Sequence, residues 1–309
     1  MTRFHLLILL LLVSCATRQS EPILFDSNLV RSYAFELEDL SPFADGPYYA
    51  EYKMGKKRLG FVAVEHISSV KYPDLFQHPT LRTIESVFAS LKPGMSIVEG
   101  IPTANELNPP SMLPKADTCR ERRYQGDCGE SFFVINQARG TKTSFVSGEP
   151  SEAEILKTVL AHGYRAEDLV GFYLLRKIPQ WKRQKNLKHS DIKALVTPQL
   201  ERYRQRVDSK LRFGIKDFEA WYKAKMPTPA KYMDFENNDP APHGGTGATF
   251  VQKISNRVTF ARDQSLLKRI EGALATHDRV LVVYGGSHWI NLEPALAQAL
   301  GKPEIRKLY

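Results

Sequence analysis

Arg279-Val280-Leu281-Val282-Val283-Tyr284-Gly285-Gly286-Ser287-His288 runs five apolar residues, three of them valine, into two glycines, a serine and a histidine. It is the most strongly β-patterned run of the chain and reads as a strand. The glycines let backbone come close to a ligand, and an imidazole delivered there can take a proton or bind a metal. Upstream, Arg262 to Ala275 has helical spacing, with Leu266, Leu267, Ile270 and Leu274 facing inward. Downstream, Leu292 to Leu300 reads as the last helix.

The same pattern occurs once before. Arg58-Leu59-Gly60-Phe61-Val62-Ala63-Val64 is a second apolar strand, and it ends in Glu65-His66. Thr80 to Leu91 follows as a helix with Leu81, Ile84, Val87, Phe88 and Leu91 on one face and Thr80 as its cap. After the turn at Pro93-Gly94, Met95-Ser96-Ile97-Val98 is a third strand, ending in Glu99. A β-α-β unit joined by one right-handed crossover makes its strands parallel and places them as neighbours. The fold class is therefore α/β, a central, mainly parallel sheet with flanking helices. The segment of about 105–250 reads as a large, mostly helical insertion within a single domain of 23–309. Its first part is loop-rich, with Phe132-Phe133-Val134-Ile135 as a possible strand. Helices follow from a Ser151/Glu154 capping box, over Ala166 to Lys177 as far as Pro179, and within 189–208 and 214–226.

The N-terminus speaks for export. Arg3 and the apolar run Leu6 to Val13 describe a signal peptide of residues 1–14, too short to span a bilayer. Leu12-Val13-Ser14-Cys15 reads as a lipobox, so Cys15 is the expected lipid attachment site and 15–22 a lipidated tether. With Ala16 and not aspartate after the cysteine, the expected location is the periplasmic face of the outer membrane, with the anchor holding the protein to the membrane. In that oxidising compartment Cys119 and Cys128 are expected to form a disulfide; their spacing is wrong for a zinc pair. The net charge of +9 is spread along the chain, and no nucleic-acid partner is expected. The one local basic run, from Trp181 to His189, reads as a solvated helix end or a contact for anionic head groups.

In parallel α/β sheets ligands bind beyond the carboxyl ends of the strands. Glu65-His66, Glu99 and His288 stand at such ends, so His66, Glu99, Arg262 and His288 are the candidate catalytic residues. His66, Glu65, Glu99 and His288 would equally suit a divalent metal, manganese or zinc. Glu149, set between Gly148 and Pro150 before a helix, is either part of a turn or directed to the site. Gly285-Gly286-Ser287-His288-Trp289 is similar to a nucleophile elbow, with Trp289 in the place of the last glycine.

The ordered set Ala63-Val64-Glu65-His66, Glu99, Arg262-Asp263 and Gly285-Gly286-Ser287-His288 resembles the TraB/TIKI clan, which includes erythromycin-esterase-like and ChaN-like proteins. The likeness covers 55–105 and 255–305, and Ala63 stands where the clan pattern has glycine. It implies one of several activities: metal-dependent peptidase, esterase, haem binding or signalling control. The expected function is hydrolysis of an ester or peptide bond in a small-molecule or peptide substrate, metal-assisted, with His288 as base or ligand and Arg262 stabilising the oxyanion. The alternative is a non-catalytic lipoprotein binding haem, a metal or a small ligand in the same pocket.

Overall fold

The computed structural model describes residues 23–31, 47–67, 74–101, 106–126, 128–185, 187–236, 240–243 and 245–309. The expected signal peptide, Cys15 and the tether lie outside them. The architecture is a mixed six-stranded sheet with flanking helices. The strands are β1 (Tyr48–Met54), β2 (Lys57–Val64), β3 (Met95–Val98), β4 (Ser144–Ser147), β5 (Arg279–Gly285) and β6 (Glu304–Arg306), in the order β4-β3-β5-β2-β1-β6. Strands β4, β3, β5 and β2 are mutually parallel. β1 is antiparallel to β2 and β6.

β2 and β3 are therefore not neighbours, as a minimal β-α-β unit would make them. β5, the last long strand to enter, lies between them and pairs with both. Its central place suits its composition: Val280 to Tyr284 are all buried, as a strand covered on both faces requires. On one face, Phe61, Ile97, Val282 and Tyr284 pack against α9 (Gly286–Leu300) and the second half of α8 (Phe250–Thr276). On the other, Val62, Val98, Leu281 and Val283 pack against α1 (Pro79–Leu91), α2 (Leu113–Glu121) and α3 (Glu130–Thr141).

A separate apolar core holds the helical part: α4 (Glu152–Ala161), α5 (Ala166–Lys185), α6 (His189–Val207), α7 (Ile215–Lys225) and the first half of α8. The stretch of about 105–250 thus does two things. Its first third supplies α2, α3 and β4 to the sheet layer, and only from α4 onward does it form its own core. The 27-residue α8, about 40 Å long at 1.5 Å per residue, belongs to both cores. Val251, Ile254, Val258 and Ala261 face the helical core, and Leu266, Leu267, Ile270 and Leu274 face the sheet.

Four local expectations change. Phe132 to Ile135 lie in α3, where Phe133, Val134 and Ile135 are buried against the sheet; a short apolar run has no period that separates strand from buried helix. α1 is capped by His78, whose ring accepts from the Thr80 N–H, while Thr80 itself is buried and its hydroxyl donates to the Glu65 carbonyl. α5 continues through Pro179 to Lys185. α8 begins at Phe250 behind a Thr249/Gln252 capping box, so Arg262 is a mid-helix residue and not a helix start. The Cys119–Cys128 disulfide joins α2 to the entry of α3.

Candidate functional site

The parallel register aligns four strand ends. Val64 is level with Gly285, Val98 with Val283, and Ser147 with Val98. Whatever follows these residues emerges at one edge: Glu65-His66, Glu99, Gly148-Glu149, and Gly286-Ser287-His288. The edge faces the helical part across a cavity of about 320 Å³ whose lining includes His66, Glu99, Arg176, Arg262, Ser287 and His288. A second cavity, of about 670 Å³, shares Glu99, Arg176 and Arg262 and adds Glu149, Glu152, Tyr173 and Arg206.

β5 passes directly into α9, a tight strand-to-helix turn, and this decides how His288 is held. His288 is not on a surface turn. It sits in the first turn of α9, 4% exposed, with Nδ1 2.5 Å from Asp263 Oδ1. Asp263 is fully buried, and its other oxygen accepts from Asn291 Nδ2 at 2.7 Å, one helical turn after His288. Burial lifts the Asp263 carboxyl above its ordinary range, against the opposing pull of His288 and Asn291. An Nδ1–H donated to Asp263 leaves Nε2 as the acceptor toward the cavity, 3.8 Å from Glu99 Oε1.

Glu99 is fixed at both oxygens. Oε1 accepts from Arg262 Nη2 at 2.7 Å and Oε2 from the Gly285 N–H at 2.7 Å. The Ser131 hydroxyl holds its carbonyl. Burial opposes its ionisation, but Arg262, His288 and His66 together hold the carboxyl down to about 2. Arg262 also clamps Glu149, through Nε at 2.8 Å and Nη2 at 2.7 Å. Burial likewise opposes the Glu149 charge, and Arg262 and the Gly100 N–H outweigh it. Glu149 thus belongs to the site and not to a plain turn. Arg262, with Nε and Nη2 spent on two carboxylates, is a clamp that positions Glu99 more than a free oxyanion donor.

His66 is the open member of the group. Two-thirds of its side chain is exposed, and Nδ1 lies 2.7 Å from Glu130 Oε1. That hydrogen bond, helped by the Glu130 and Glu99 charges, raises its pKa to about 9. The convergence is sharpest at Gly285. A methyl group built there would lie 3.4 Å from Glu99 Oε2, 3.6 Å from His288 Cδ2 and 3.7 Å from His66 Nε2. His66, Glu99, Arg262 and His288 are therefore brought together, from residues more than 200 positions apart.

Glu65 is not brought in. It is exposed and lines neither cavity. With Glu99 committed to Arg262 and Gly285, the four expected metal ligands do not assemble. Among the described residues no three His, Cys, Asp or Glu side chains form a ligand set. Glu130 and Arg176 escaped the sequence reading, and Asp263, quoted there only beside Arg262, was given no role. Asp263 carried a usable signal, for it lies four residues before Leu267 and seven before Ile270, on the apolar stripe of α8, where a carboxylate needs a partner. Glu130 and Arg176 carried none, because their positions depend on how α3 and α5 pack. No family model matches the chain, and no curated protein or solved structure matches it.

Proposed function

We propose that the protein is a hydrolase of an ester or peptide bond using metal-free acid–base chemistry, with His288 as general base. The observation that carries this is the buried Asp263–His288 pair, which orients one imidazole nitrogen into a polar cavity beside an ionised carboxylate. A water donating to both His288 Nε2 and Glu99 Oε1 is placed for attack. His288 takes its proton as the new C–O bond forms, and Asp263 stabilises the resulting imidazolium. His66, protonated at neutral pH, hydrogen-bonds the carbonyl oxygen as charge develops there, and His288 then gives its proton to the leaving group as the scissile C–O or C–N bond breaks, which restores both histidines to their starting state. The resemblance to the TraB/TIKI clan points to the same group of residues. The lipobox reading places this hydrolase on the envelope side of a membrane, held there through Cys15.

The test is an assay of the purified protein on a panel of esters and peptides, before and after chelation. Turnover that survives chelation supports the reading. Turnover that disappears and returns with manganese or zinc replaces it with a metal-assisted one. Saturable ligand binding with no turnover on the panel favours the non-catalytic alternative.

A further inference from the structure

The cavity above the histidines is walled by two facing helix stripes. α8 presents Ser255, Thr259 and Arg262, at i, i+4 and i+7, and α5 presents Arg176, Pro179 and Gln180, at i, i+3 and i+4. Most charges around it are compensated: Arg262 by Glu99 and Glu149, His66 by Glu130, Arg206 by Glu152. Arg176 has no such direct partner. It is exposed and lines both cavities, with Glu99 and Glu149 acting on it only at longer range, and among the described residues it has neither a hydrogen-bond partner nor a carboxylate within ion-pair distance. Ser255 and Thr259, 4% and 7% exposed, also line the first cavity, and their hydroxyls have no partner among the described residues. Their hydroxyl oxygens are open to the cavity, so together with the Arg176 guanidinium they form a set of donors available to whatever occupies it.

We propose that Arg176, Ser255 and Thr259 form a subsite for an anionic group of the substrate, so that the hydrolase acts on acyl compounds carrying an acidic substituent. The inference rests on the hydrolase reading for the word substrate, but not for the anion site itself. Along α8 the rise of about 1.5 Å per residue puts Thr259 and Ser255 roughly 5 and 10 Å from Arg262, at whose level the reacting groups lie. The acidic group is thus several bonds from the scissile carbonyl, as in a monoester of a six-carbon dicarboxylic acid. An arginine recognises carboxylate and phosphate by the same planar donors, so the shared chemistry is an oxyanion.

Two measurements test this. Adipate and inorganic phosphate are titrated separately into the wild-type protein, Arg176→Gln and Arg176→Lys, with thermal melting to verify that each variant is folded. Saturable binding in the wild type, weakened about tenfold or more in Arg176→Gln and partly restored in Arg176→Lys, supports the subsite. The anion that binds tells carboxylate from phosphate. No binding of either, or equal binding by folded Arg176→Gln, overturns it. Separately, kcat/KM is compared for the 4-nitrophenyl monoester of adipic acid and its neutral methyl-capped analogue. The preference for the anionic ester collapses in Arg176→Gln; an unchanged ratio overturns the assignment. Binding without hydrolysis of either ester leaves the anion site standing and removes the hydrolase reading.

Discussion

Gly285 is where backbone and chemistry meet most closely. Its φ of −54° suits any residue, and a methyl there makes only ordinary contacts, the nearest at 3.4 Å. Gly285→Ala should therefore change stability by less than about 1 kcal/mol. The methyl would nevertheless fill the point shared by His66, Glu99 and His288, so kcat/KM should fall about tenfold or more. Urea unfolding beside steady-state kinetics checks both halves. His66 supplies a pH prediction. Its pKa is raised to about 9, so the stability it contributes is fully present below about 6.5 and is lost as pH rises through about 9. Hydrolysis should lose this protonated donor over the same upper limb. Glu130→Gln removes the carboxylate charge that strengthens this bond and holds the proton, and the His66 ring resonances should then titrate nearer 6.5. Glu99 has the opposite sign. Its carboxyl is held at about 2, so its contribution is present above about 4.5 and is lost as pH falls through about 2.

At the scale of elements, the turns that leave the strands are the working parts. Gly148 follows β4, and a methyl there would meet Tyr284 Cε2 at 2.6 Å, Leu266 Cδ1 at 3.0 Å and Ile97 Cγ2 at 3.2 Å. Gly148→Ala should cost about 1–3 kcal/mol by overpacking and should displace Glu149 from Arg262, lowering activity as well. This differs from Gly285→Ala, where activity falls without a comparable loss of stability. The disulfide belongs to this scale too. Replacing Cys119 and Cys128 by serine opens a link across nine positions and should lower unfolding free energy by about 2–3 kcal/mol on the chain-entropy model. The elements that carry the site were legible because strands β2, β3 and β5 are apolar runs cut short by polar residues, a pattern that needs no tertiary knowledge. β1 was not legible: Glu51 and Lys53 break its apolar run, and only the structure shows Glu51 buried between Arg58 and Arg306. The start of α8 was missed for a related reason. Its first half faces one core and its second half another, so no single apolar stripe runs its length.

At the scale of the whole molecule, the site lies at the seam of two cores. α8 passes from the helical core to the sheet, and Arg262 and Asp263 fall at the changeover, one turned to Glu99 and Glu149, the other to His288. The sheet supplies the reacting groups and the helical part supplies the opposite wall, including Arg176. Such a division explains why the sequence indicated the histidines but not the substrate: strand ends follow from local pattern, whereas the facing wall follows from how α5 packs on α8. It also sets the cost of removing His288. That ring is buried, and its loss leaves one oxygen of a fully buried Asp263 without its partner. His288→Ala should thus destabilise the fold by about 2–4 kcal/mol, as well as lowering kcat/KM by about 10²–10⁴-fold. The most direct test of the central claim is a double-mutant cycle on kcat/KM for the best ester or peptide of the panel, using His66→Ala, His288→Ala and the pair, each verified as folded. Residues acting as one unit on one bond give strongly non-additive losses, so the double variant should fall no more than about threefold below the worse single variant. Losses that multiply, or a His288→Ala enzyme as active as the wild type, would contradict a single site shared by the two histidines.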